Sequence, residues 1–186
     1  MTIGQFHHQQ AFSLVAKKGK RSAVQIANEA MRVKGYCNHV KNPEEPEILL
    51  GVDPRELVKD FKRNAKHLID RGHKKLRKDA LWIVSGVISS GKREASKEWI
   101  EDNIDLLKRE FGSSLKAIIR HKSDESFDHI HYYLVPDYER EKLFSIDQVH
   151  VGLRAKNECK GNARQKDIDY KRAMQKLNKR FYQAVS

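Results

Sequence analysis

Two apolar segments, Leu115–His121 and His129–Val135, are separated only by residues 122 to 128. Both are rich in β-branched and aromatic side chains, as strands are. A link that short joins neighbouring antiparallel strands. Alternate side chains of a strand share a face, so His129 and His131 point one way and Ile130 and Tyr132 the other. The hairpin also carries His121, at the end of the first strand, to the start of the second. Three imidazoles then converge without any unusual backbone, which is the ligand type and number of a transition-metal site. A lone His-x-His would be an ordinary pair of surface histidines. The third histidine and the acidic pair Asp124-Glu125 favour a metal.

The rest of the chain supplies what such a hairpin needs to pack against. Residues 11 to 16 (AFSLVA) are expected to form a strand. Ser22 is placed to cap a helix reaching about Val33. Residues 34 to 52 read as irregular, punctuated by Gly35, Pro43 and Pro46. Pro54, just after Asp53, opens a helix whose apolar period continues toward Asp70. Residues 80 to 90 (ALWIVSGVISS) read as a central strand, and 96 to 111 as a helix ended by Gly112. A helical stretch is expected around Ile146 to Leu153. The final helix, 167 to 185, carries an apolar stripe of Tyr170, Met174, Leu177, Phe181 and Ala184. Strands and helices in this order predict an α+β fold, a mainly antiparallel sheet flanked by helices. A domain over 1–140 would be followed by a basic helical extension over 141–186 packed on it. His7 and His8, close to the chain end, are expected to be flexible.

Charge restricts the partner. Thirty-seven Lys/Arg against 25 Asp/Glu give a net +12, and residues 151 to 186 hold ten of the cations against three acids. Such a surface suits a polyanion, most simply nucleic acid. Two basic clusters could hold phosphates: Lys17, Lys18, Lys20 and Arg21 beside the first helix, and Lys74, Lys75, Arg77 and Lys78 before the central strand. Two cysteines, Cys37 and Cys159, make no disulfide framework. No apolar run approaches the roughly 20 residues of a membrane span, and Met1 to Gln10 lacks a signal-peptide core. The expected location is cytoplasmic, with no membrane partner.

The pattern His121, Asp124-Glu125, His129-x-His131 before a strand ending in Val135-Pro136 is similar to that of the HUH relaxases, and most to the plasmid mobilisation/recombination (Pre/Mob, MobV-like) branch. Arg77-Lys78-Asp79-Ala80 resembles that branch's motif before its own core strand. The resemblance covers about residues 11 to 140. It implies a relaxase palm that nicks one DNA strand at an origin of transfer, stays covalently attached to the 5′-phosphate and leaves a 3′-hydroxyl. It implies His121, His129 and His131 as ligands of a divalent ion, manganese or magnesium, with zinc also suited to the ligand set. It implies single-stranded or hairpin origin DNA, and other mobilisation proteins, as partners. Asp124 and Glu125 match the family's acidic pair, which orients a ligand histidine or takes a proton. Arg32 matches a phosphate-holding arginine.

The chain departs from the family pattern in three places. Lys122 and Ser123 stand where the family has one residue. Asp128 replaces a proline. The first helix, Ile26 to Arg32, lacks the family's nucleophilic histidine. Tyr36 and His39, just beyond that helix, are the candidates for the nucleophile, with Tyr36 ahead because tyrosine is the commoner nucleophile among relaxases at large. A replication initiator using the same cluster, and a relaxase-like protein that binds DNA without cutting it, are the other readings.

Overall fold

The computed structural model describes residues 6–16, 18–70, 72, 74–122, 125–138 and 143–184. Its centre is a five-stranded, wholly antiparallel sheet in the order β1-β3-β5-β4-β2. The strands are β1 (Phe6–Ser13), β2 (Glu47–Gly51), β3 (Leu81–Ser89), β4 (Leu115–His121) and β5 (His129–Leu134). Helices α1 (Ala23–Ala30), α2 (Pro54–Asn64), α3 (Lys97–Phe111), α4 (Val151–Glu158) and α5 (Ala163–Ala184) cover it. The expected α+β class is the one observed.

Period-two alternation divides the sheet into two cores. Ala117, Ile119 and Tyr133 face one side, where they meet Ile26 and Ala27 of α1 and Val58 and Phe61 of α2. Ile118, Ile130, Tyr132 and Leu134 face the other, against Leu106 and Leu107 of α3 and Leu177 and Phe181 of α5. Each fully buried side chain of this size contributes about 1.5–3 kcal/mol. The long basic helix α5 is thus a wall of the second core. No described helix is long and apolar enough to cross a membrane, and Cys37 and Cys159 are both free.

Local chemistry accounts for the element ends. Ser22 caps α1 in a reciprocal box, its hydroxyl accepting from Gln25 N–H while the Gln25 side chain accepts from Ser22 N–H. Ser96 caps α3 by accepting from Trp99 N–H at 3.1 Å. Gly86 sits under the Tyr132 ring, where an added Cβ would lie 2.1 Å from a ring carbon. Only glycine at this point of β3 lets Tyr132 lie flat across the sheet.

Several expectations need correction. The first strand starts at Phe6, five residues early, because its inward positions are polar. His7 and Gln9 are buried at 2 % and 3 % exposure, so no apolar alternation advertises them. His7 is therefore part of the structure: Nδ1–H donates to Asn178 Oδ1 at 2.8 Å and Nε2 accepts from Tyr132 O–H at 2.8 Å. His8 lies in the same strand and is exposed. The stretch expected to be irregular contains β2, an edge strand introduced by Pro46, as proline permits only at an edge. Helix α2 ends at Asn64, followed by a 3-10 turn over Ala65–His67. The stretch expected to be helical around Ile146 to Leu153 splits into a 3-10 turn, Ile146–Gln148, and α4.

Candidate metal centre

Register brings the histidines together. In the β4–β5 ladder His121 pairs with His129 and Ile119 with His131, so the three imidazoles share the face that also carries Ile119 and Tyr133. One ligand nitrogen from each ring lies within 4.8 Å of the others. His121 and His129 are buried and His131 opens onto a cavity of about 630 Å³. Among the described residues this is the one cluster of at least three His, Cys, Asp or Glu with that convergence.

The hydrogen bonds of the rings fix how the imidazoles are turned. His121 Nε2 lies 2.7 Å from the Ala30 carbonyl oxygen, and His129 Nδ1 lies 2.9 Å from that of Phe127. A carbonyl only accepts, so both of these nitrogens carry the proton. That leaves His121 Nδ1 and His129 Nε2 facing each other at 3.1 Å, where they can share a proton as one hydrogen bond or both donate to a cation. Backbone carbonyls on the far nitrogens are the usual way a ligand imidazole is oriented. Burial, with the neighbouring charges of His121, His129 and Arg32, holds the His131 pKa well below the ordinary imidazole range. It is kept neutral and available as a donor. The residues present fit a divalent ion.

A charged rim surrounds the triad. Arg32 Nη2 donates to Glu125 Oε1 at 2.8 Å. Burial alone pushes the Glu125 carboxyl up. The hydrogen bond from Arg32 and the charges of His129, Arg32 and His121 outweigh it, so its pKa lies below the usual value. Glu125 Oε1 is also 3.8 Å from His129 Nε2 and 3.7 Å from His39 Nε2, and Glu29 Oε1 is 3.8 Å from His39 Nε2. The loop below is fixed by Asp128, buried at 1 % exposure. Asp128 accepts from Arg120 Nη2 at 2.6 Å and from Ala95 N–H at 2.9 Å. The acid that replaces the expected proline is the anchor of the turn into β5.

Arg32 reaches Glu125 because of how α1 ends. Val33 N–H bonds to Asn28 O at 2.9 Å and Arg32 N–H to Glu29 O at 3.0 Å, a Schellman termination. The residue at its left-handed position is Arg32, with φ 53°, the only non-glycine with positive φ among the described residues. Glycine is usual there. The arginine accepts a strained backbone, and its side chain, 4 % exposed, is delivered to the site.

Of the remaining site expectations, His39 lines the cavity, together with Glu29 and Glu125. Tyr36 is 42 % exposed and is not among the residues lining that cavity. Asp124 and Lys17 lie outside the described residues. Lys18, Lys20 and Arg21 are exposed, and Arg21 forms an ion pair with Glu29. Lys74, Lys75, Arg77 and Lys78 precede the Leu81 end of β3, whereas the histidines lie beside its Ser89 end. The structure does not bring that cluster to the cavity. Arg77 is bonded to Asp79 through Nε at 2.9 Å and Nη2 at 2.6 Å. Among the lining residues without a site signal in the sequence, Lys41 sits in an irregular stretch, Phe6 opens the hidden start of β1, and Phe127 lies in the β4–β5 link.

No family model and no curated protein matches the chain. Solved structures do. Two manganese-bound crystal structures of the MobM relaxase domain (MOBV; Mob_Pre) bound to plasmid pMV158 oriT DNA are similar to it. The one at pH 6.8 has TM-score 0.54 and 18 % identity, over 92 % of this chain and 99 % of that one. The one at pH 5.5 has TM-score 0.55 and 18 % identity, over 92 % of this chain and 100 % of that one. The chain has the fold of a relaxase domain over nearly its whole length.

Proposed function

We propose that this protein is a metal-dependent, site-specific single-strand DNA endonuclease and strand transferase of the relaxase type, acting at an origin of plasmid transfer. The observation that carries the reading is the convergence of His121, His129 and His131, one nitrogen of each within 4.8 Å of the others, beside a cavity lined by His129, His131, Arg32, His39 and Lys41. The relaxase fold and the net charge of +12 support it.

His121, His129 and His131 would hold the divalent ion. Manganese, present in the structural neighbours, is the first choice, and magnesium or zinc would be tested beside it. A divalent ion in such a site supplies Lewis-acid polarisation of a phosphoryl oxygen. The chain's own side chains do the rest. Arg32 and Lys41 offset phosphate charge. Phe6, 53 % exposed, and Phe127 give faces on which bases of a single strand can stack. Glu125, held ionised by Arg32 and 3.7 Å from His39 Nε2, is placed to take up a proton released by that ring.

His39 is assigned as the nucleophile ahead of Tyr36, because it alone of the two lines the cavity. Its Nε2 faces the carboxylates of Glu29 and Glu125, which leaves Nδ1 to attack. A P–N bond forms as the P–O3′ bond breaks and its electron pair leaves on the 3′-oxygen. The 3′-oxygen takes up a proton and the attached ring releases one, so the strand ends as a 3′-hydroxyl with the 5′-phosphate on the protein. Asp124 would join Glu125 as the second member of the acidic pair. Lys17, Lys18, Lys20 and Arg21 would hold DNA near α1. Lys74, Lys75, Arg77 and Lys78 would hold the more distant duplex or hairpin portion.

Incubation of the protein with a supercoiled plasmid carrying its origin, in manganese, should give nicked circles bearing bound protein. His129→Ala and His131→Ala should abolish nicking, and normal nicking by either variant overturns the metal assignment. The α1 helix has no histidine where the family resemblance places one, which favours a second reading, a DNA-binding protein that does not cut. Tight origin binding without any nick or adduct would establish that reading. Nicking at a replication origin instead would make the protein an initiator.

A further inference from the structure

Strand register carries the face of the metal centre to the edge of the sheet. Phe6 stands opposite Ser89, and Ser89 opposite His129. His8 stands opposite Val87, and Val87 opposite His131. Residues directly opposite in an antiparallel pair share a face. Phe6 and His8 therefore lie on the face of the triad, two strand spacings or about 10 Å from its histidines. Phe6, Val87, Ser89, His129 and His131 all line the metal cavity, so its floor includes the strip of sheet from β5 to the edge strand β1. Helices α1 and α2 cover this face at Ile119 and Tyr133. At the β1 end Phe6 is 53 % exposed, and His8 is exposed beside it.

The strand itself sets the spacing of these two rings. Alternate residues advance about 6.6 Å along a strand, and stacked bases are about 3.4 Å apart. Neighbours on one strand face thus stand at almost twice the thickness of a base. Phe6 and His8 have this relation, their rings stacked within 14° of parallel and their centroids 6.3 Å apart. Exposed rings gain by being covered, and one flat base covers both at once. His8 also borders a second cavity, of about 380 Å³, together with Lys20 and Arg21, both exposed. Arg21 is ion-paired with Glu29, and Lys20 adds a cation for a flanking phosphate.

We infer that Phe6 and His8 form a slot that takes one unpaired base of the bound DNA strand, inserted between the two rings a few nucleotides from the phosphate at the metal centre. A small outward turn of either ring, both being at the surface, completes the gap. Such stacking tolerates any sequence, because every base has a π-face. The slot therefore fixes the course of the strand across the sheet and leaves the reading of sequence to other contacts. His8 is then a binding residue for the strand, although it holds no metal. The inference rests on the single-stranded DNA reading given above.

The test places 2-aminopurine, a base whose fluorescence is quenched by stacking, at successive positions of a single-stranded origin oligonucleotide and titrates it with protein in magnesium. The native protein should quench the probe at one position outside the cleaved dinucleotide, and removing the base there should cost about tenfold in affinity. His8→Thr keeps a strand-forming residue at an exposed site, so it should melt near the native temperature. It should weaken the quench and cut the abasic penalty to about threefold, because one of two stacking faces remains. Adding Phe6→Thr should bring intact and abasic strands within about twofold of each other. His8→Phe should restore the native quench and penalty, since the slot needs a ring and not a charge. Restoration by His8→Lys and not by His8→Phe would make His8 a phosphate contact and overturn the slot. A native protein with no such position, or one that matches the double variant, overturns it too while leaving strand binding intact. Failure of the native protein to bind any single strand overturns the reading beneath, and the slot with it.

Discussion

Arg32 and Glu125 are joined across 93 residues of chain by a 2.8 Å hydrogen bond from Nη2 to Oε1. The bond ties the end of α1 to the β4–β5 loop directly above the histidine triad. It exists because a non-glycine residue occupies the left-handed position of a helix terminus. Replacing Arg32 with glycine should relieve about 1 kcal/mol of backbone strain, and Glu125, partly exposed, can turn to water. Arg32→Gly should therefore melt near the native temperature while nicking falls at least about tenfold, in line with the loss of a charge-assisted contact. Equal loss of stability and activity would mean that Arg32 serves only the fold.

Asp128 holds the same loop from below through Arg120 and Ala95 N–H. Asp128→Ala leaves Arg120, whose side chain is 14 % exposed, without its buried partner. Breaking such a pair costs about 3–5 kcal/mol. Chemical denaturation should show that loss with an unchanged m-value.

Acid should weaken the fold through two histidines remote from the triad. Burial lowers the pKa of both His7 and His150 to about 4. His7 is locked as a neutral ring between Asn178 and Tyr132, and His150 Nδ1 accepts from Leu153 N–H to cap α4. A folded pKa below the unfolded value of 6.5 means that the unfolded chain binds more protons in between. Stability is then fully present above pH 6.5, is lost as pH falls toward 4, and changes little further below. Each ring contributes on the order of 3 kcal/mol across that window. Urea titrations at pH 7, 5.5 and 4 should show the decline, and His150→Asn, which keeps a cap, should remove about half of it.

Metal should stabilise the folded chain. At a hundredfold excess over its Kd, manganese adds about 2.7 kcal/mol, or roughly 5 to 10 °C in Tm for a domain of this size. Chelator should abolish the shift, and so should His129→Ala.

The convergence of His121, His129 and His131 was legible in the sequence because it depends only on strand period and one short link. The antiparallel sheet and most of its helices were legible for the same reason. What escaped was held by polar burial or by distant partners. The start of β1 hides behind the buried polar side chains of His7 and Gln9, and the partners of His7 on β5 and α5 are more than a hundred residues away. Strand β2 is a short edge with few inward apolar side chains. The role of Asp128 needs Arg120 and Ala95 brought to it by the fold. Residues His39 and Tyr36 stand three apart in a stretch without periodicity, so only the cavity's lining separates them.

Cutting one DNA strand and keeping it separates a relaxase from a protein that only binds DNA. Intact-mass spectrometry after incubation with a single-stranded origin oligonucleotide and manganese tests it most directly. Strand transfer should give a new species heavier by the 5′-phosphorylated product strand, with the modification mapped by digestion to His39, and no such species with chelator or with His129→Ala. An unmodified mass under conditions where the strand is tightly bound would contradict it.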